Sequence, residues 1–72
     1  MDNVEAKAYV NKRYDEILKD NPNWLRVRIS NVIMKELRDE YNFWLTVPTG
    51  QRILSITEDY NGLVFQVQGT VE

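Results

Sequence analysis

The sequence predicts a small α+β domain in which two helices pack on one face of a mostly antiparallel four-stranded sheet, in the order α-β-α-β-β-β. Three observations lead there. Residues 2–20 carry a capped amphipathic helical pattern, residues 24–29 and 43–47 alternate with period two, and Asn61-Gly62 sits between two strand-like runs as a hairpin turn. A chain of 72 residues holds one core, so residues 1–72 read as a single domain.

The first helix begins at a capping box. Asp2-Asn3-Val4-Glu5 places an acceptor side chain ahead of the first-turn amides and a Glu three residues later. Ala6, Val10, Tyr14, Ile17 and Leu18 then recur on one side, and Lys12 with Glu16 and Asp15 with Lys19 are spaced to pair across a turn. Pro22 pushes its predecessor out of the α region, so the helix is expected to end near Asp20.

Two continuations compete for residues 24–29. Asn21-Pro22 suits the start of a helix running to Tyr41, but that helix would place Arg26, Glu36 and Glu40 within the arc of Leu25, Ile29, Ile33 and Leu37. Ending the second element at Ser30 removes the conflict. Leu25, Val27 and Ile29 then alternate with Trp24, Arg26 and Arg28 as a strand, and Ser30 caps a shorter helix with Ile33, Met34, Leu37 and Tyr41 as its stripe. The strand is the expectation carried forward.

Phe43, Leu45 and Val47 alternate with Trp44 and Thr46 as the next strand, closed by Pro48-Thr49-Gly50. The last two strands, 52–60 and 63–70, flank Asn61-Gly62 as the centre of a type I′ turn. That register sets Tyr60 against Leu63, Glu58 against Phe65, Ile56 against Val67 and Leu54 against Gly69. Ile53 and Val64 fall on the solvated face, beside Ser55, Thr57, Asp59, Gln66, Gln68 and Thr70.

Residue types exclude several chemistries. Without Cys or His the chain cannot build thiolate or imidazole zinc sites, Cys nucleophiles or His-dependent triads. Paired carboxylates such as Asp15-Glu16 and Glu58-Asp59 lie on a helix and beside a tight turn, where no cleft is implied, and no Gly-rich loop has phosphate-cradling spacing. No enzyme activity, cofactor or metal is expected. The net charge of −2 disfavours nucleic acid as the main partner. The acidic start of the chain is unlike a secretory signal and no apolar run is long enough for a membrane span, so a cytoplasmic location is expected.

Placing Leu25, Val27 and Ile29 inward sends Trp24, Arg26 and Arg28 to the open sheet face, and the same alternation sends Trp44 there. Trp and Arg are the residue types that anchor protein interfaces, so these four form the candidate partner-binding surface. The plainer reading is that both Trp residues complete a small core. As a platform for single-stranded nucleic acid the face lacks any Gly-flanked aromatic motif. The second candidate is the acidic ridge Glu36, Asp39 and Glu40, which can imitate DNA phosphates toward a DNA-binding protein. Its plainer reading is a solvated helix face diluted by Lys35 and Arg38.

In size, acidity and lack of cysteine the chain is similar in kind to the small single domains that phages make to disable host proteins, anti-CRISPR proteins among them. That resemblance implies a non-catalytic domain that occupies a functional surface of a bacterial protein, such as a nucleic-acid-acting enzyme or nucleoid protein. It carries over no residues. A structural homodimer is the alternative of a different class.

Overall fold

The structure, a computed structural model, describes residues 1–68. Two helices and one two-stranded antiparallel sheet follow one another in the order α1 (Asn3–Asp20), α2 (Arg26–Tyr41), β1 (Ile53–Asp59) and β2 (Gly62–Val67). The expected α+β class holds, but the four-stranded sheet and its α-β-α-β-β-β order do not.

α1 begins as the sequence indicates. Asp2 caps it by accepting from the Glu5 N–H at 2.8 Å, and the stripe of Ala6, Val10, Tyr14, Ile17 and Leu18 turns inward. Neither expected pair across a turn forms, since Lys12 and Asp15 take part in no ion pair among the described residues. Asn21 closes the far end by donating its backbone N–H to Ile17 O at 2.8 Å, and its side-chain amide reaches the same oxygen at 3.2 Å.

The first correction falls on residues 24–29. Only a tight turn, with Trp24 N–H donating to Asn21 O at 3.0 Å, separates α1 from α2, and residues 26–29 are helical. Ser30 lies inside the helix and caps nothing. The stripe of α2 is poor only when the helix is taken by itself. Arg26 and Glu40 lie in its end turns, where both side chains are exposed, and Leu25 precedes the helix and is 65% exposed. Glu36 does enter the inner arc, but α1 supplies Arg13 to neutralise it and the Tyr9 hydroxyl to donate a further hydrogen bond. The buried stripe is Ile29, Ile33, Met34 and Leu37. Asn42, left-handed at φ 50°, ends the helix, and Phe43 N–H reaches back to Leu37 O at 3.0 Å.

The expected strand over 43–47 shrinks to an isolated bridge between Thr46 and Arg52. Around it, Val47 N–H donates to Gln51 O at 3.1 Å and Ile53 N–H to Leu45 O at 2.8 Å. The turn at Pro48-Thr49-Gly50 forms as expected, closed by Gly50 N–H to Val47 O at 2.8 Å with Gly50 at φ +86°. The segment is short because Phe43 and Leu45 pack against the helical core, and because no strand over 24–29 exists to flank it.

β1 and β2 form the expected hairpin one residue earlier than Asn-Gly chemistry indicates. Asp59 pairs with Gly62, Glu58 with Leu63, Thr57 with Val64, Ile56 with Phe65 and Ser55 with Gln66. Tyr60-Asn61 is therefore the loop. Asp59 accepts from the Asn61 N–H at 2.8 Å, and positive φ falls on Gly62 at +119°. Asp at the first and Gly at the fourth position suit a type I turn, and that preference wins over the type I′ signal of Asn-Gly. A shift of two in partner preserves the faces. At Leu54 the register slips by one more, so Ile53 pairs with Val67. That slip buries Ile53 and leaves Leu54 44% exposed, the reverse of the expected facing. The expected pairing of Leu54 with Gly69, and Thr70, lie outside the described residues.

The core has two parts that share α2. Ile17, Ile29, Ile33 and Leu37 form one between the helices, and Met34, Ile53 and Ile56 form the other between α2 and β1, with Leu45 packed against both.

Candidate protein-interaction surface

Trp24, Leu25, Arg26 and Arg28 meet at the start of α2. Trp24 is half-buried against the interhelical core, and the Arg28 guanidinium lies 3.9 Å from its ring centroid. That contact holds Arg28 in one place and is worth about 0.5–1 kcal/mol at an exposed site. Arg26 is exposed, and Leu25 projects beside it.

The electrostatics of this turn run against those of a self-sufficient helix. Leu25 stands at the N-cap with no side-chain hydrogen bond, and the first turn holds no acidic residue. The first-turn amides lack intrahelical acceptors and mark the positive end of the helix dipole. Two arginines are added to that end. Each cation there costs roughly 0.3–1 kcal/mol relative to a neutral residue. The result is a local positive surface with an apolar centre on a chain of net charge −2.

Trp44, expected on the same face, is elsewhere. It follows the far end of α2, with Arg38 at 5.4 Å and Arg52 at 4.9 Å from its ring centroid. Arg28 and Arg38 are ten residues apart on α2, roughly 15 Å along the axis. Trp44, Phe43 and Leu45 line a groove of about 400 Å³ against Ala6 and Val10 of α1. The open sheet face expected to carry all four residues does not exist. Trp24, Arg26 and Arg28 are nevertheless brought together, by a helix start instead of a strand.

The acidic ridge is divided. Glu36 accepts from Arg13 Nε at 2.9 Å, from Arg13 Nη2 at 2.8 Å and from the Tyr9 hydroxyl at 2.8 Å. The two-pronged bond to Arg13, outweighing partial burial, holds the Glu36 carboxyl below the ordinary carboxylate range. Tyr9 is pushed up to about 12, first by burial and then by its bond to Glu36. Arg13, which also bridges to Glu16 at 3.0 Å, is pushed up further by the same partners. Glu36 is thus a structural residue, and only Asp39 and Glu40 remain exposed on the ridge.

Leu25 is the surface residue that sequence reasoning missed, because the strand reading placed it in the core. The signal was present in Asn21-Pro22, which fits a turn opening directly into a helix. No helix among the described residues is long and apolar enough to cross a membrane. No protein-family model, curated protein or solved structure matches the chain.

Proposed function

We propose that the chain is a non-catalytic protein-binding domain that engages its partner through the start of α2, using Trp24, Leu25, Arg26 and Arg28. One observation carries the reading. Two arginines and an exposed leucine occupy a helix N-terminus where the fold alone favours an acidic or capping residue. A partner offering carboxylates around an apolar pocket relieves that cost. Its acidic groups meet the first-turn amides and the guanidinium groups, and its pocket takes Leu25 and the open edge of Trp24. Arg28, already stacked, gives up little freedom on binding.

The DNA-mimic reading has less to work with, since Glu36 is committed to Arg13 and Tyr9. A partner inside a bacterial cell, bound and blocked as phage-made inhibitors block theirs, is the biological setting we propose. Affinity capture from nuclease-treated bacterial lysate compares wild type with Arg26→Glu/Arg28→Glu. The expected result is a protein retained by wild type and lost from the variant, with unchanged far-ultraviolet circular dichroism. Equal retention by both overturns the assignment to the α2 start.

A further inference from the structure

The two strands differ in how their edges are protected. On β1, Ile53 N–H donates to Leu45 O at 2.8 Å, and Arg38 donates to Leu54 O at 3.4 Å. Asn31 of α2 holds both backbone groups of Ile56: its Nδ2 donates to Ile56 O at 2.7 Å, and Ile56 N–H donates to its Oδ1 at 3.0 Å. The edge of β1 is closed over residues 53–56, and beyond them it carries the charged Glu58.

Because Ile56 turns its backbone groups toward Asn31, Ile56 and Phe65 form a non-hydrogen-bonded pair of the antiparallel ladder. Phe65 must then turn its own N–H and C=O to the outer edge of β2, and Leu63, two residues along, does the same. No other strand pairs with that edge among the described residues. Natural edge strands are commonly guarded by charge, proline or a bulge. β2 reads Gly-Leu-Val-Phe-Gln-Val, with neither charge nor proline, and the register slip lies on β1.

We infer that β2 pairs antiparallel with β2 of a second copy about a two-fold axis, giving one continuous sheet through both chains. Charge permits this occupant. The chain is net acidic, and Asp39, Glu40, Glu58 and Asp59 would repel their counterparts, but β2 brings no charge to the two-fold. An antiparallel strand pair is also self-complementary, as a two-fold interface requires. Phe65 and Val64, 45% and 40% exposed on opposite faces, each gain a cross-strand neighbour. Small domains often draw stability from a disulfide, a metal or a second subunit, and a chain with neither Cys nor His has no disulfide and no thiolate or imidazole metal site to serve. This interface makes no use of the α2 start, so Arg26→Glu is expected to leave it intact.

Sedimentation equilibrium from about 1 µM to about 1 mM tests the pairing. Wild type is expected to rise from the 8.6 kDa of one chain toward twice that mass. Two variants, Val64→Lys/Gln66→Lys and Val64→Glu/Gln66→Glu, alter exposed positions opposite Thr57 and Ser55 and remove no core contact. Each alone is expected to remain monomeric with unchanged circular dichroism, because like charges meet across the two-fold. Their equimolar mixture is expected to dimerise. A wild type that stays at the mass of one chain overturns the inference. So do single variants that dimerise as wild type does, or a mixture that does not associate.

Discussion

At the scale of single residues, the fold turns on a charged group placed where an isolated helix would want an apolar one. Glu36 lies between the helices, and its acceptance of three hydrogen bonds from Arg13 and Tyr9 makes the position tenable. Its folded-state pKa is lowered, so its contribution is complete above the ordinary carboxyl value of about 4.3 and is lost as pH falls through the folded value. Tyr9 has the opposite sign. Its folded-state pKa of about 12 lies above the ordinary value of 10, so its contribution holds below that ordinary value and is lost as pH rises through 12. Glu36→Gln is expected to cost about 1.5–3 kcal/mol at neutral pH, the range for hydrogen bonds to charged groups, and to flatten the acid limb. Urea denaturation across pH measures both effects. An unchanged midpoint would remove Glu36 from the account of the helix interface. None of this was legible from α2 alone, since Arg13 and Tyr9 lie more than twenty positions earlier.

At the scale of elements, sequence patterns served where local chemistry decides the outcome and failed where a distant partner decides it. The Asp2 cap, the stripe of α1, the Pro48-Thr49-Gly50 turn and the existence of the hairpin were all legible. Residues 24–29 alternate as a strand would, but the alternation is incidental. Ile29 belongs to the stripe of α2, Val27 is half-buried beside the sheet, and Leu25 is outside the helix. Trp24, Arg26 and Arg28 lie together at a helix start instead of on the strand that the alternation predicts, and Trp44 lies apart at the far end of α2. The attachment of β1 to α2 through Asn31 was equally hidden, because an Asn inside a helix ordinarily reads as a weak helix former. Asn31→Ala leaves the Ile56 N–H and C=O without that partner and is expected to cost about 1–3 kcal/mol. Chemical denaturation reads the loss, and a change below about 0.5 kcal/mol would mean that water replaces Asn31 without penalty.

At the scale of the whole molecule, α2 is the common wall of both core clusters, so the helices and the hairpin are stabilised through one element. Its middle is devoted to packing. Its start carries Leu25 and Arg26, exposed and outside both core clusters, with Arg26 at the helix end whose dipole disfavours a cation. If the α2 start is the proposed binding surface, stability and binding make opposing demands on the same turn, and one substitution separates them. Arg26→Glu replaces a cation at the positive end of the helix dipole with an anion and removes no core contact. Melting temperature and affinity for the captured partner, measured together on this variant, decide whether the α2 start is a binding surface. Stability is expected to rise by about 0.3–1 kcal/mol while affinity falls at least tenfold. Retained affinity would place the binding surface elsewhere, and stability and affinity falling together would mean that Arg26 supports the fold.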